Sequence, residues 1–321
     1  MAAPLKGGSA VSFAAETKKE LTGVVDKPCC KRAELSALLR LNGSLHTVEN
    51  REVLDIATEN AAIARRIYLL LKDVFQVHAE VLVRKKMRLR KNNVYLVRIS
   101  RQAEEVLEPL EISRRGESLE GGVPKRLLGR DCCRRAYMRG AFLAAGSVNN
   151  PEGASYHLEI ALGDAELSKG FLRLLGTYDL DARAIQRKRG EIVYLKEGEK
   201  IVEFLNLVGA HQALLRFEDV RILKDMRNQV NRLVNCETAN LNKTVQAAVR
   251  QIENIRFLER TIGLENLPPK LREVAELRLR HPDINLKELG ALLGGGVTKS
   301  GVNHRLRKLD EWARRVRESG G

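Results

Sequence analysis

"CCKRAELSALLRLNGSL" at residues 29–45 and "CCRRAYMRGAFLAAGSV" at residues 132–148 are one segment written twice, 103 positions apart. Aligned without gaps they share Cys-Cys, Arg32 with Arg135, Ala33 with Ala136, Gly43 with Gly146 and Ser44 with Ser147. The likeness continues downstream: "EVLDIATENAAIARRIYLLL" (52–71) matches "YHLEIALGDAELSKGFLRLL" (156–175), and "NNVYLVRIS" (92–100) matches "GEIVYLKEG" (190–198). Self-similarity over such a length implies a duplicated supersecondary unit.

Each copy reads the same way by period. The Cys-Cys segment has apolar residues at helical spacing and stops at Gly43-Ser44 or Gly146-Ser147, as a helix C-terminus does. A short strand in "GSLHTVEN" or "GSVNNPEG" is followed by an alternating strand, "REVLDIAT" or "SYHLEIAL". An amphipathic helix, two more strands and a closing helix complete αββαββα. Small residues on the first helix (Ala37; Gly140, Ala141, Ala144, Ala145) suit close packing of the two copies through these helices about a pseudo-two-fold axis.

The chain has 321 residues, enough for two or three domains. No long apolar run and no signal-like N-terminus is visible, which leads to an expectation of a cytoplasmic, nucleoid-associated protein without membrane partners. Lysine and arginine outnumber acids 56 to 41, so a polyanion leads the candidate partners. Aromatic residues are only 4% of the chain; single-strand binders need aromatic stacking platforms, so duplex DNA is favoured. The cysteines Cys29-Cys30 and Cys132-Cys133 lack CxxC spacing and a histidine pair. They read as small thiols near a helix start, and neither metal nor cofactor is expected.

"RGAFLAAGS" (139–147) resembles the LAGLIDADG motif of homing endonucleases, and "ALLRLNGS" (37–44) is a weaker copy. The resemblance implies paired αββαββα units laying saddle-shaped sheets on duplex DNA. In those nucleases the acidic residue before the final glycine of each motif holds the metal. Those positions are Asn42 and Ala145 here, which cannot supply the charge that metal-assisted cleavage needs. The motif is degenerate and no catalytic residue is assigned.

The DNA platform is sought in the strands. Residues 81–103 hold eight basic residues and no acid. Alternation puts Arg84, Lys86, Arg88 and Arg90 on one face and Val81, Val83, Met87 and Leu89 largely on the other, where they can pack. In the second copy Arg183, Arg187 and Arg189 share a face. A solvated sheet face or a charged edge that blocks aggregation is the competing reading.

After residue 209 no strand pattern recurs. Two helical stretches, "FEDVRILKDMRNQVNRLV" and "TVQAAVRQIENIRFLERTI", surround a region rich in amides and arginines. There Arg227, Asn228, Asn231 and Arg232 suit either DNA contact or a bend between helices. Pro268-Pro269 opens a new helix, "NLKELGALL" is a short second one, and Gly294-Gly295-Gly296 stops it. Thr298 is placed to cap a third, basic amphipathic helix with the apolar stripe Val302, Leu306, Leu309, Ala313 and Val316. This is a helix-turn-helix. Its base-reading candidates are Thr298, Lys299, Ser300, Asn303, His304 and Arg307; Asn303 suits adenine, and Arg307 suits guanine or phosphate. The glycine triplet follows a helix and lacks the Walker lysine and serine, so it is not a nucleotide loop.

The last helices resemble region four of sigma factors. Together with the degenerate LAGLIDADG pair, "CCRRAYMRGAFLAAGS", "YHLEIAL" and "LREVAELRLRHPDINLKELGALL" resemble the WhiA family of bacterial regulators from about Ser12 to Arg317. The family implies promoter binding linked to sporulation and cell division, with RNA polymerase or another regulator as a further partner. The expected organisation is an α+β tandem LAGLIDADG-like repeat plus an all-α helix-turn-helix domain. Its segments are a flexible extension (1–12), first repeat (13–110), linker (111–126), second repeat (127–210), connecting helices (211–263) and helix-turn-helix domain (264–321). The expected activity is sequence-specific DNA binding without nuclease action. A metal-dependent homing-type endonuclease and a partner-dependent scaffold for polymerase or division machinery stay as alternatives.

Overall fold

The computed structural model describes residues 12–48, 51–85, 93–116, 118–188, 190–294 and 296–319. They form two compact units, divided between Lys224 and Asp225. Among the described residues no helix is long and apolar enough to cross a membrane.

The first unit opens with α1 (Phe13–Leu21), a helix absent from the sequence reading; the Ser12 side chain caps it by accepting from Ala15 N at 3.2 Å. The remaining extension, residues 1–11, lies outside the described residues. The first repeat then runs α2 (Pro28–Asn42), β1 (Gly43–Val48), β2 (Arg51–Thr58), α3 (Ala61–Phe75), β3 (Glu80–Lys85), β4 (Asn93–Ile99) and α4 (Ala103–Leu107). The stretch read as a linker carries a hairpin of β5 (Ser113–Arg115) and β6 (Ser118–Glu120). The second repeat repeats the order: α5 (Asp131–Ala145), β7 (Gly146–Val148), β8 (Leu158–Ala161), α6 (Ala165–Gly176), β9 (Arg183–Arg187), β10 (Gly190–Leu195) and α7 (Gly198–Val208). Both copies fold into antiparallel sheets of the same topology, β1-β2-β4-β3 and β7-β8-β10-β9. The αββαββα reading therefore holds in each.

Helices α2 and α5 pack along each other at the centre of the unit, and equivalent positions face one another. A Cβ at Gly140 would lie 2.9 Å from the Ala37 Cβ and would run into the Glu34 carbonyl oxygen. Glycine is thus required there by the approach of the two backbones. Gly43 and Gly146 end the helices as expected, but not as left-handed caps: both are extended, with φ of −88° and −81°. A Cβ at Gly43 would meet the Leu119 side chain at 2.7 Å, and one at Gly146 the Phe142 Cα at 2.7 Å. Lack of space, not positive φ, selects these glycines.

One strand departs from expectation. Val81 and Val83 were expected to pack, but β3 is the sheet's edge strand and is exposed on both faces, with Val81 at 48% and Val83 at 55%.

The helical stretches after residue 209 are a single helix, α8 (His211–Thr261), rather than two helices joined by a bend. Neither proline nor glycine occurs within it, so nothing interrupts its backbone hydrogen bonds. In the first unit its N-terminal amides are capped by Glu20 of α1, which accepts from Gln212 N at 2.7 Å and Ala213 N at 3.0 Å. In the second unit, Ile255 and Leu258 join the core of α9 (Pro269–Arg280), α10 (Leu286–Leu292) and α11 (Lys299–Ser319).

Candidate nucleic-acid interface

The second unit presents a helix-turn-helix. Leu271, Val274 and Ala275 of α9 and Leu289 of α10 are buried against Val302, Leu306, Leu309 and Ala313 of α11. The predicted stripe is the buried one, with Val316 at its edge. Helix α10 opens with a capping box: Asn285 Oδ1 accepts from Lys287 N and Glu288 N at 3.0 Å, while Glu288 Oε2 accepts from Asn285 N at 3.1 Å. Gly294 and Gly296 take positive φ, 65° and 71°, letting the chain reverse between α10 and α11. A Cβ on Gly290 would collide with the Val297 carbonyl oxygen, so the turn is tight against α10. Buried Arg278 holds the preceding loop by donating to Ile284 O at 2.7 Å.

Thr298 caps α11, its Oγ1 accepting from Gly301 N at 3.3 Å. Lys299, Ser300, His304 and Arg307 are exposed, and Asn303 is half-buried beside them. At 100° per residue, Ser300, Asn303, His304 and Arg307 share the side opposite the buried stripe. Arg314, two turns beyond Arg307, extends that exposed face; its heptad spacing was the signal that could have revealed it. The C-terminal half of α11 is clamped instead: Asn254 donates to Asp310 Oδ1 at 2.8 Å and accepts from Arg317 Nη2 at 2.7 Å, and the Arg317 guanidinium lies 4.6 Å from the Phe257 ring centroid.

In the first unit, the platform is only partly described. Lys86, Arg88, Arg90 and Arg189 lie outside the described residues. Arg84 is exposed on β3, opposite Val94 in register. Arg183 and Arg187 are exposed on β9, and alternation puts them on the face that also carries Tyr194 and Glu159. His157 stacks on Tyr194 at 5.7 Å, with its Nε2 3.1 Å from Glu159, and Arg187 approaches the same carboxylate at 3.9 Å. The equivalent acid of the first sheet, Asp55, is held by Arg98 through two 2.8 Å bonds. At this equivalent position each sheet thus sets an arginine against the acid. Tyr194 and His157 escaped the sequence reading because cross-strand register, not spacing, brings them to Arg183.

Asn42, with Ala144 and Gly146 flanking Ala145, lines an open groove of about 780 Å³ where α2 and α5 end. Lys18 of α1 and Arg84 line it too. Burial pulls the Lys18 ammonium down to about 8 from 10.5. Asn42 thus shares its groove with an ammonium that no sequence motif flagged. On α8, Arg227, Asn228, Asn231 and Arg232 are all exposed; with no bend to satisfy, that reading of them lapses.

Comparison with known proteins agrees with this architecture. Residues 28–113 match the model of the WhiA N-terminal LAGLIDADG-like domain, 134–227 the WhiA LAGLIDADG-like domain, and 230–313 the WhiA C-terminal HTH domain. The chain is 60% identical over 309 residues to a "Probable cell division protein WhiA" of Brevibacillus brevis, covering 96% of this chain and 98% of the relative. A protein of the same name from Anoxybacillus flavithermus is also 60% identical, covering 96% of each. The crystal structure of full-length WhiA from Thermatoga maritima superposes with a TM-score of 0.58 at 28% identity, covering 95% of this chain and 98% of that one. With a tandem LAGLIDADG-like repeat, a C-terminal helix-turn-helix and relatives matched over nearly their whole length, the chain belongs to the WhiA family.

Proposed function

We propose that the chain is a sequence-specific duplex-DNA-binding regulator without nuclease activity, acting on promoters of cell division and sporulation genes. The observation that carries this is α11: a helix anchored on one side by its buried stripe, with Ser300, Asn303, His304 and Arg307 together on the other. A helix so presented suits the major groove, where Asn303 would pair with adenine and Arg307 with guanine or a phosphate. Arg84, Arg183 and Arg187 would add phosphate contacts that weaken with salt. The name of the relatives supports the link to division. The neutral motif positions Asn42 and Ala145 support binding without cleavage.

The test is capture of sheared genomic DNA by the purified chain in magnesium at near-physiological salt, sequencing both fragments and their ends. Discrete sites with random ends support the reading, and Asn303→Ala or Arg307→Ala should then relax site preference. Recurrent ends within captured sites would restore the endonuclease. No enrichment would point to a scaffold that depends on RNA polymerase or another regulator.

A further inference from the structure

The two Cys-Cys pairs, far apart in sequence, meet in space. Cys29 and Cys30 stand in the first turn of α2, Cys132 and Cys133 in the first turn of α5, and the four Sγ atoms all lie within 4.8 Å of one another. Within the first pair the separation is 3.9 Å. We propose that these four cysteines form a tetrahedral thiolate site for a single zinc ion, which ties the two repeats together at the start of their central helices.

Geometry supports one ion. Zinc–sulfur bonds of about 2.3 Å place the sulfurs of a tetrahedral site about 3.8 Å apart, so a small inward movement suffices. An iron–sulfur cluster distributes its cysteines over several irons and needs them further apart. The repeat symmetry supplies the arrangement: a tetrahedron contains a two-fold axis that exchanges two pairs of ligands, and α2 and α5 present identical pairs to each other. Cys30 and Cys133 are buried, at 3% and 2% exposure, whereas Cys29 and Cys132 are half-buried, leaving a path for the ion.

The N-terminal ends of two helices meet at this cluster. Both helices begin at basic residues, Lys27 and Arg130, whose side chains form no cap, so the positive helix ends face the thiolates without a competing side-chain cap. Arg130 Nη1 also approaches Cys29 Sγ at 3.9 Å. The fifth cysteine, Cys236, is exposed on α8 and serves as an internal control.

The experiment uses the full chain, purified without oxygen. Metal content should be about one zinc per chain, and cobalt(II) exchanged for it should give the visible bands and sulfur-to-metal charge transfer of a tetrahedral tetrathiolate. In the native chain Ellman's reagent should react quickly only with Cys236, and with all five thiols after a strong chelator. Cys236→Ser should keep the zinc, and Cys30→Ser should lose it. Less than a tenth of an equivalent after zinc reconstitution, immediate reaction of all five thiols, iron with acid-labile sulfide, or a mass lower by the hydrogens of disulfides would each overturn the proposal. The cobalt spectrum and thiol counts of the unmutated chain decide the matter even if Cys30→Ser fails to fold.

Discussion

Replacing Glu34 with alanine should loosen the junction between the repeats. Glu34 is fully buried, and its carboxylate serves two guanidiniums: Arg66 Nε reaches Oε1 at 2.8 Å and Nη2 reaches Oε2 at 3.0 Å, while Arg139 Nε reaches Oε2 at 2.9 Å. Arg66 comes from α3 of the same repeat and Arg139 from α5 of the other, and Asp26 pairs with both arginines. Without Glu34, two cations with side chains only 12% and 5% exposed share one carboxylate. Removing one partner from a buried pair costs roughly 3–5 kcal/mol. At about 2–4 °C per kcal/mol for a unit of this size, the melting temperature should fall by roughly 6–20 °C. Urea denaturation at pH 7 separates the units. Trp312, the only tryptophan, packs on the core of the second, so its fluorescence transition should stay while the circular dichroism transition of the first unit moves. A loss below about 1 kcal/mol, the range of exposed pairs, would refute the view that this cluster is desolvated and mutually dependent. Asp26→Asn should cost less, because burial, together with Glu34, already raises the Asp26 carboxyl above its usual range against the pull of Arg139 and Arg66.

Other perturbations test separate links. Gly140→Ala forces α2 and α5 apart and should cost roughly 1–3 kcal/mol, as overpacked cores do, read as a lower urea midpoint for the first unit. Lys18→Met should stabilise the chain, by at most about 3 kcal/mol since each pKa unit is worth about 1.4 kcal/mol. The sign follows from a folded-state value near 8 below the ordinary 10.5: the buried ammonium is penalised in full below pH 8, and the penalty fades as pH rises to 10.5. The mutant's advantage should shrink over that window in melts taken from pH 7 upward, and a constant advantage would contradict this. Asn285→Ala removes the capping box of α10 and should cost about 1 kcal/mol, read as a lower urea midpoint of the Trp312 fluorescence transition with the first unit unchanged.

What the sequence determined was local and repeated. The 103-residue duplication, the αββαββα order, the stripe on α11 and the Thr298 cap were legible because apolar period and capping chemistry are written within one element. Even the failures follow this rule. Alternation alone could not tell that β3 is an edge strand, so Val81 and Val83 were misjudged, and two apolar stretches of one uninterrupted helix looked like two helices. What only the tertiary structure decided was which elements meet. Lys18 enters the groove beside Asn42 because α1 packs there, Tyr194 reaches Arg183 through strand register, and Glu34 is shared across two repeats. The same holds for the four cysteines, whose spacing within each helix matches no metal motif. They come together because Gly140 and Ala37 let two helices approach until the symmetry-related ends of both coincide. Spacing along a chain encodes neighbours on one element, whereas packing between elements encodes neighbours in space.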